Sequence, residues 1–163
     1  MRAWLLAALA CAAPLCAAYE VNGVALGASE AAIRKAFPSA YCKPLEWYSD
    51  AADRSCDDAK IAFAGVNARI TLYLRRDAMQ AFTVRFDIRD REKIAAYFRS
   101  RWGTPTGETT ESIRRKDKDP KKVYKARWDK GNDHALLTAQ LDRKRSMLEV
   151  WRGNFLDEIY RVR

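Results

Sequence analysis

The chain has 163 residues, with 30 Lys and Arg against 21 Asp and Glu and a net charge of +9. At 48% hydrophobic and 31% charged it is too apolar for a disordered chain and too short for two large domains. Only one short stretch is continuously apolar, and it stands at the N-terminus.

That stretch, Ala3 to Ala13, follows Arg2 and precedes Pro14 and the small residues Cys16, Ala17 and Ala18. The layout is that of a secretory signal peptide over residues 1–18, cleaved after Ala18, and it predicts a periplasmic or secreted protein. The apolar run is well below the ~20 residues of a spanning helix. Ala8-Leu9-Ala10-Cys11 loosely matches a lipidation site, although Ala8 stands where that motif has Leu. The remaining residues, 19–163, predict a single α+β domain.

Ser29 can cap a helix with apolar positions Ile33, Ala36 and Phe37, stopped by Pro38. Cys42 and Cys56 follow, an even pair in an oxidising compartment, and a disulfide between them is the default. Strands are expected over 60–66, 69–75 and 81–87, with Ile70, Leu72 and Leu74 on one face and Phe82, Val84 and Phe86 on another. A second helix begins after Asp90, carries Ile94, Tyr97, Phe98 and Trp102, and stops at Gly103 and Pro105. Strands over 123–128, 135–141 and 147–151 repeat the earlier order. Leu137, Ala139 and Leu141 echo Ile70, Leu72 and Leu74 at an offset of 67, Leu148 and Val150 echo Phe82 and Val84 at 66, and Trp128 echoes Phe63 at 65. This predicts a duplicated α-β-β-β unit, with halves at about 24–89 and 90–156. The antiparallel strands would form one sheet with the helices packed on one face.

With that order, and with Val24-Ala25-Leu26-Gly27-Ala28-Ser29-Glu30 opening a helix that ends in Phe37-Pro38, the chain resembles small bacterial envelope proteins of the β-lactamase-inhibitor-like and outer-membrane-assembly-lipoprotein type. The resemblance implies a protein-binding role and transfers no site residue.

Catalytic signals are sparse. His134, the sole histidine, sits in a predicted turn, and no GxSxG nucleophile motif, glycine-rich phosphate loop or short-spaced metal-ligand cluster accompanies it. No cofactor or metal is expected. Asp50, Asp53, Asp57 and Asp58 read as solvated loop carboxylates.

Two candidate binding surfaces stand out. The connection from Gly103 to Pro120 is long, and the run from Arg114 to Arg127 holds Arg114, Arg115, Lys116, Lys118, Lys121, Lys122, Lys125 and Arg127 against Asp117 and Asp119. It would attract anionic lipid or polysaccharide, or else be a solvated loop that aids solubility. Nucleic acid fits an exported protein poorly. The loop between the cysteines presents Trp47 and Tyr48, either as anchors for a partner or folded back onto the sheet.

The expectation is a secreted or periplasmic, non-catalytic interaction protein. It would bind an envelope or extracellular protein, for instance as an enzyme inhibitor, or an anionic envelope component, and its edge strands could pair it into a dimer. The alternative is a periplasmic hydrolase built around His134 or Asp53.

Overall fold

The structure is a computed structural model that describes residues 19–115 and 118–161. The expected signal segment 1–18, with Cys11, lies outside the described residues, as do Lys116, Asp117 and the side chains of Arg115 and Lys118.

After a two-stranded ribbon, β1 (Glu20–Val21) and β2 (Val24–Ala25), helix α1 (Glu30–Ala36) leads into β3 (Tyr41–Pro44), β4 (Arg54–Phe63), β5 (Val66–Arg75) and β6 (Ala78–Phe86). A 3-10 turn and helix α2 (Arg91–Trp102) lead into β7 (Gly107–Arg115), β8 (Lys118–Lys130), β9 (Asp133–Gln140) and β10 (Arg145–Arg152). A short helix α3 (Phe155–Glu158) follows. The eight long-range strands form one antiparallel sheet in the order β3-β4-β5-β6-β10-β9-β8-β7. Each run of four is a meander, and the two meet where β6 pairs with β10.

Local chemistry explains the elements. Ser29 caps α1 by accepting the Ala32 N–H, as its sequence position predicts. Gly103 ends α2 at a φ of 83°, a conformation that costs glycine nothing, and its N–H caps the carbonyl of Arg99. The β5–β6 hairpin turns through Arg76 and Asp77, both at positive φ, the tight turn that matches strand twist. Asp53 accepts the Arg76 N–H at 2.8 Å and Asp77 accepts that of Glu30 at 2.8 Å, fixing this strained turn from outside.

Two expectations need correction, and one strand was not expected. The run 60–66 is not one strand, because Ala64 and Gly65 form a left-handed turn between β4 and β5. The connection 103–120 is not a loop, since β7 and the start of β8 form an edge hairpin there. β3 was invisible beside β4, being only four residues long and ending in Pro44. Two polar edges therefore escaped a search for alternating apolar residues.

The main core joins Ile33 of α1, Phe37 at its C-cap, and Ile94, Ala95 and Phe98 of α2 with Ile70, Leu72, Leu74, Phe82, Val84, Leu137, Leu148 and Val150 from the strands. Trp128 is buried against Phe98 and Trp102, and its indole N–H donates to the Gly103 carbonyl at 2.9 Å. A second, smaller cluster gathers Ala51, Ala52, Ala81, Trp151, Phe155 and Ile159. The alternation within β6 and β10 aims Ala81 and Trp151 away from Phe82 and Val150, so this cluster lies on the opposite side of the sheet. α3 and the loop between the cysteines cover that side only in part. Among the described residues no helix is long and apolar enough to cross a membrane.

Candidate functional site

Register makes the site. On the side of the sheet that carries the smaller cluster, the outward residues of successive strands line up as Arg69, Arg85, Met147, Thr138 and Lys125. Arg69 and Arg85 are direct cross-strand partners. Like charges so placed destabilise a sheet, so the pair departs from local preference.

These arginines line a groove of about 720 Å³, floored by β5, β6, β9 and β10 and bounded by the β4 bulge at Ala59–Lys60 and the turn before β10. Its cations are Lys60, Arg69, Arg85, Lys144 and Arg145, against the single carboxylate of Asp87. Asp87 is already committed, since its carboxylate accepts from the Arg89 backbone and guanidinium at 2.9–3.1 Å and is held below the usual carboxylate range by them. None of the five cations makes an ion pair or side-chain hydrogen bond with a described residue. Arg85 and Lys144 have only longer-range attraction, to Glu149 and Asp87 respectively. Burial pushes the Glu149 carboxyl up, and the nearby Arg85 charge acts against that shift. Asn67, Thr138 and Gln140 add neutral polar groups to the lining. The groove thus gathers cations that have no ion pair among the described residues, together with hydrogen-bond donors, on one concave surface.

The residues expected from the sequence are distributed differently. Of the basic run, Lys125 pairs with Glu111 at 3.0 Å, and Arg127 pairs with Asp129 at 2.9 Å and lies 5.8 Å from the Trp151 ring centre. Arg114 and Lys122 are exposed and Lys121 half-buried on the β7–β8 hairpin. The run is therefore split between the two sides of a ribbon, with its C-terminal members neutralised locally.

Cys42 and Cys56 form the disulfide, across directly opposed positions of β3 and β4. Inside that loop the Trp47 indole N–H donates to the Ile159 carbonyl at 2.9 Å, and its ring stacks on Tyr160 at 5.7 Å. Ser49 donates to the Glu158 carbonyl at 3.3 Å. Trp47 is folded onto the C-terminal segment and stays 41% exposed, whereas Tyr48 is 72% exposed.

His134 is not in a turn but in β9, facing Asp129 with Nδ1 to Oδ1 at 2.6 Å. Asp129 also takes Arg127 and the Thr106 hydroxyl, and chiefly through Arg127 its carboxyl falls to about 2. The only hydroxyl in this group bonds to the carboxylate rather than to the imidazole, so the pair lacks a positioned nucleophile. The aspartates do not converge either. Asp58 is buried and accepts from Ser39 at 2.7 Å and the Lys60 N–H at 3.0 Å, while Asp53 holds the β5–β6 turn and Asp57 accepts from Thr71 at 2.7 Å. Asp58 is thus a structural group, not a solvated one. Among the described residues the one tight set of metal-capable side chains is Glu30 with Cys42 and Cys56. Its sulfurs form the disulfide and its carboxylate is held by Arg34 and Arg54.

Sequence reasoning missed Arg69 and Arg85. Their alternation with Ile70 and Val84 puts each on an outward face, but only the register shows that they meet.

No protein-family model matches the chain, and no curated protein or solved structure shows significant similarity to it.

Proposed function

We propose that this is an exported, non-catalytic binding protein that takes an anionic partner in the groove between β4–β6 and β9–β10. The observation that carries the reading is the opposed pair Arg69 and Arg85, two guanidinium groups without an ion pair among the described residues on the open side of the sheet. Export rests on the N-terminal segment 1–18 and fits the Cys42–Cys56 disulfide. The partner class is an anionic envelope component, or an envelope or extracellular protein presenting acidic groups. The inhibitor reading, with the pinned loop as its wedge, is weakened because Trp47 already spends its N–H and one ring face on the C-terminal segment.

The architecture is read as a duplication in which the expected α-β-β-β unit is extended by one edge strand in each half, β3 and β7, with α1 and α2 on the same face. The sequence echoes support it, since Phe63 and Trp128 fall in β4 and β8, Ile70 and Leu137 in β5 and β9, and Phe82 and Leu148 in β6 and β10. In this reading the groove lies near the junction of the two halves, where β6 meets β10.

The test is retention on immobilised dextran sulfate. Relative to the wild type, Arg69→Glu with Arg85→Glu should elute at much lower salt, and Lys121→Glu with Lys122→Glu should change elution little. The reverse ranking would move the function to the β7–β8 hairpin. A second reading, a hydrolase using His134, is favoured only by the Asp129 contact. Loss of a hydrolytic activity in His134→Ala would be its signature.

A further inference from the structure

We infer that the groove is a phosphomonoester site, an assignment that rests on the groove being the binding surface proposed above. The argument is one of charge density. Directly opposed strand residues have Cβ atoms roughly 4.5–5.5 Å apart, so the Arg69 and Arg85 guanidinium groups can converge on one ligand atom cluster. Each guanidinium is a planar fork suited to two parallel hydrogen bonds with a carboxylate or a phosphate. A carboxylate, a sulfate ester or a phosphodiester brings one negative charge to be shared between two guanidinium groups and the three further cations of the lining. A phosphomonoester brings about −1.5 to −2 at neutral pH, with three terminal oxygens to share between two forks.

The surroundings fit that assignment. Lys144 lines the groove from the turn before β10, Arg145 from the first position of β10 and Lys60 from the bulge in β4, so a phosphate seated on the arginine pair is approached by further cations from three places in the chain. The Thr138 hydroxyl and the amides of Asn67 and Gln140 lie along the same lining and can donate to remaining oxygens or to the group that bears the phosphate. The one carboxylate in the lining, Asp87, is turned to Arg89.

Two sources carry this chemistry, a soluble sugar phosphate and a lipid whose headgroup ends in a phosphomonoester. The experiment uses calorimetric titration of the purified protein with glucose 6-phosphate, and with glucuronate as the singly charged sugar control. Sedimentation with phosphatidylcholine vesicles containing phosphatidic acid, or the phosphodiester phosphatidylglycerol, runs in parallel. The expected result is preference for the phosphomonoester in at least one arm, the arm identifying the source, and about a tenfold or larger loss of that binding in Arg69→Lys and in Arg85→Lys. The lysine variants keep charge and remove only the fork, and unchanged melting temperatures would show that the fold is intact. Equal binding of phosphomonoester and control in both arms overturns the phosphate assignment. If dextran sulfate retention then still depends on Arg69 and Arg85, the anion-binding function stands alone. If retention is also insensitive to both arginines, the two readings fail together.

Discussion

Arg69→Thr should stabilise the protein while weakening its binding. Arg69 and Arg85 oppose each other directly, and Arg69 has no ion pair among the described residues to lose. Removing a like-charge cross-strand pair is worth about 0.2–1 kcal/mol, and threonine suits an outward strand position. For a domain of this size that corresponds to a melting temperature higher by roughly 1–3 °C. The gain is electrostatic between exposed groups, so it should shrink at 1 M salt, where the screening length is about 3 Å. Thermal unfolding at low and high salt, followed by circular dichroism, reads both effects. A destabilised variant, or a gain indifferent to salt, would refute the claim that the pair is strained by repulsion. Improved stability with unchanged dextran sulfate retention would refute the claim that the strain serves binding.

Other perturbations test the frame. Replacing Cys42 and Cys56 by Ser should cost about 3 kcal/mol in urea unfolding on the loop-entropy model, for a loop of sequence separation 14. Trp128→Ala should cost about 3–5 kcal/mol, since it empties a buried site and orphans the Gly103 carbonyl; an effect under about 1 kcal/mol would contradict the packing described. Asp129 titrates lower in the folded state than its ordinary 3.8, so its contribution is present above pH 4 and is lost as pH falls toward 2. Because the group is about one-third exposed, screening reduces that contribution to about 1 kcal/mol or less, and Asp129→Asn should flatten the acid limb of stability by that amount.

Much of the frame was legible in the sequence because apolar alternation and capping are local signals. Ser29, Gly103, and the stripes at Ile70–Leu74 and Leu137–Ala139 all sit where periodicity puts them. The edges were not legible: β7 (GETTESIRR) carries one large apolar residue, Ile113, so nothing alternates. The site was hidden by a single residue. Counting back from the Arg76–Asp77 turn pairs Leu74 with Met79, and continuing that register would set Arg69 against Val84, on the wrong face. A bulge between Tyr73 and Leu74 shifts the pairing by one and brings Arg69 to Arg85. The adjacent buried residues Ala81 and Phe82 are its only trace in the sequence. The basic run misled for the opposite reason, since a charge cluster is conspicuous in sequence whether or not neighbours such as Glu111 and Asp129 neutralise it in space.

The most direct test of where the protein binds is an amide chemical-shift titration of the labelled protein with a dextran sulfate oligomer. The account predicts perturbations concentrated at 59–60, 67–69, 85–87, 138–140 and 144–147. Perturbations centred on 113–122 or on Trp47 and Tyr48, with the groove silent, would contradict it.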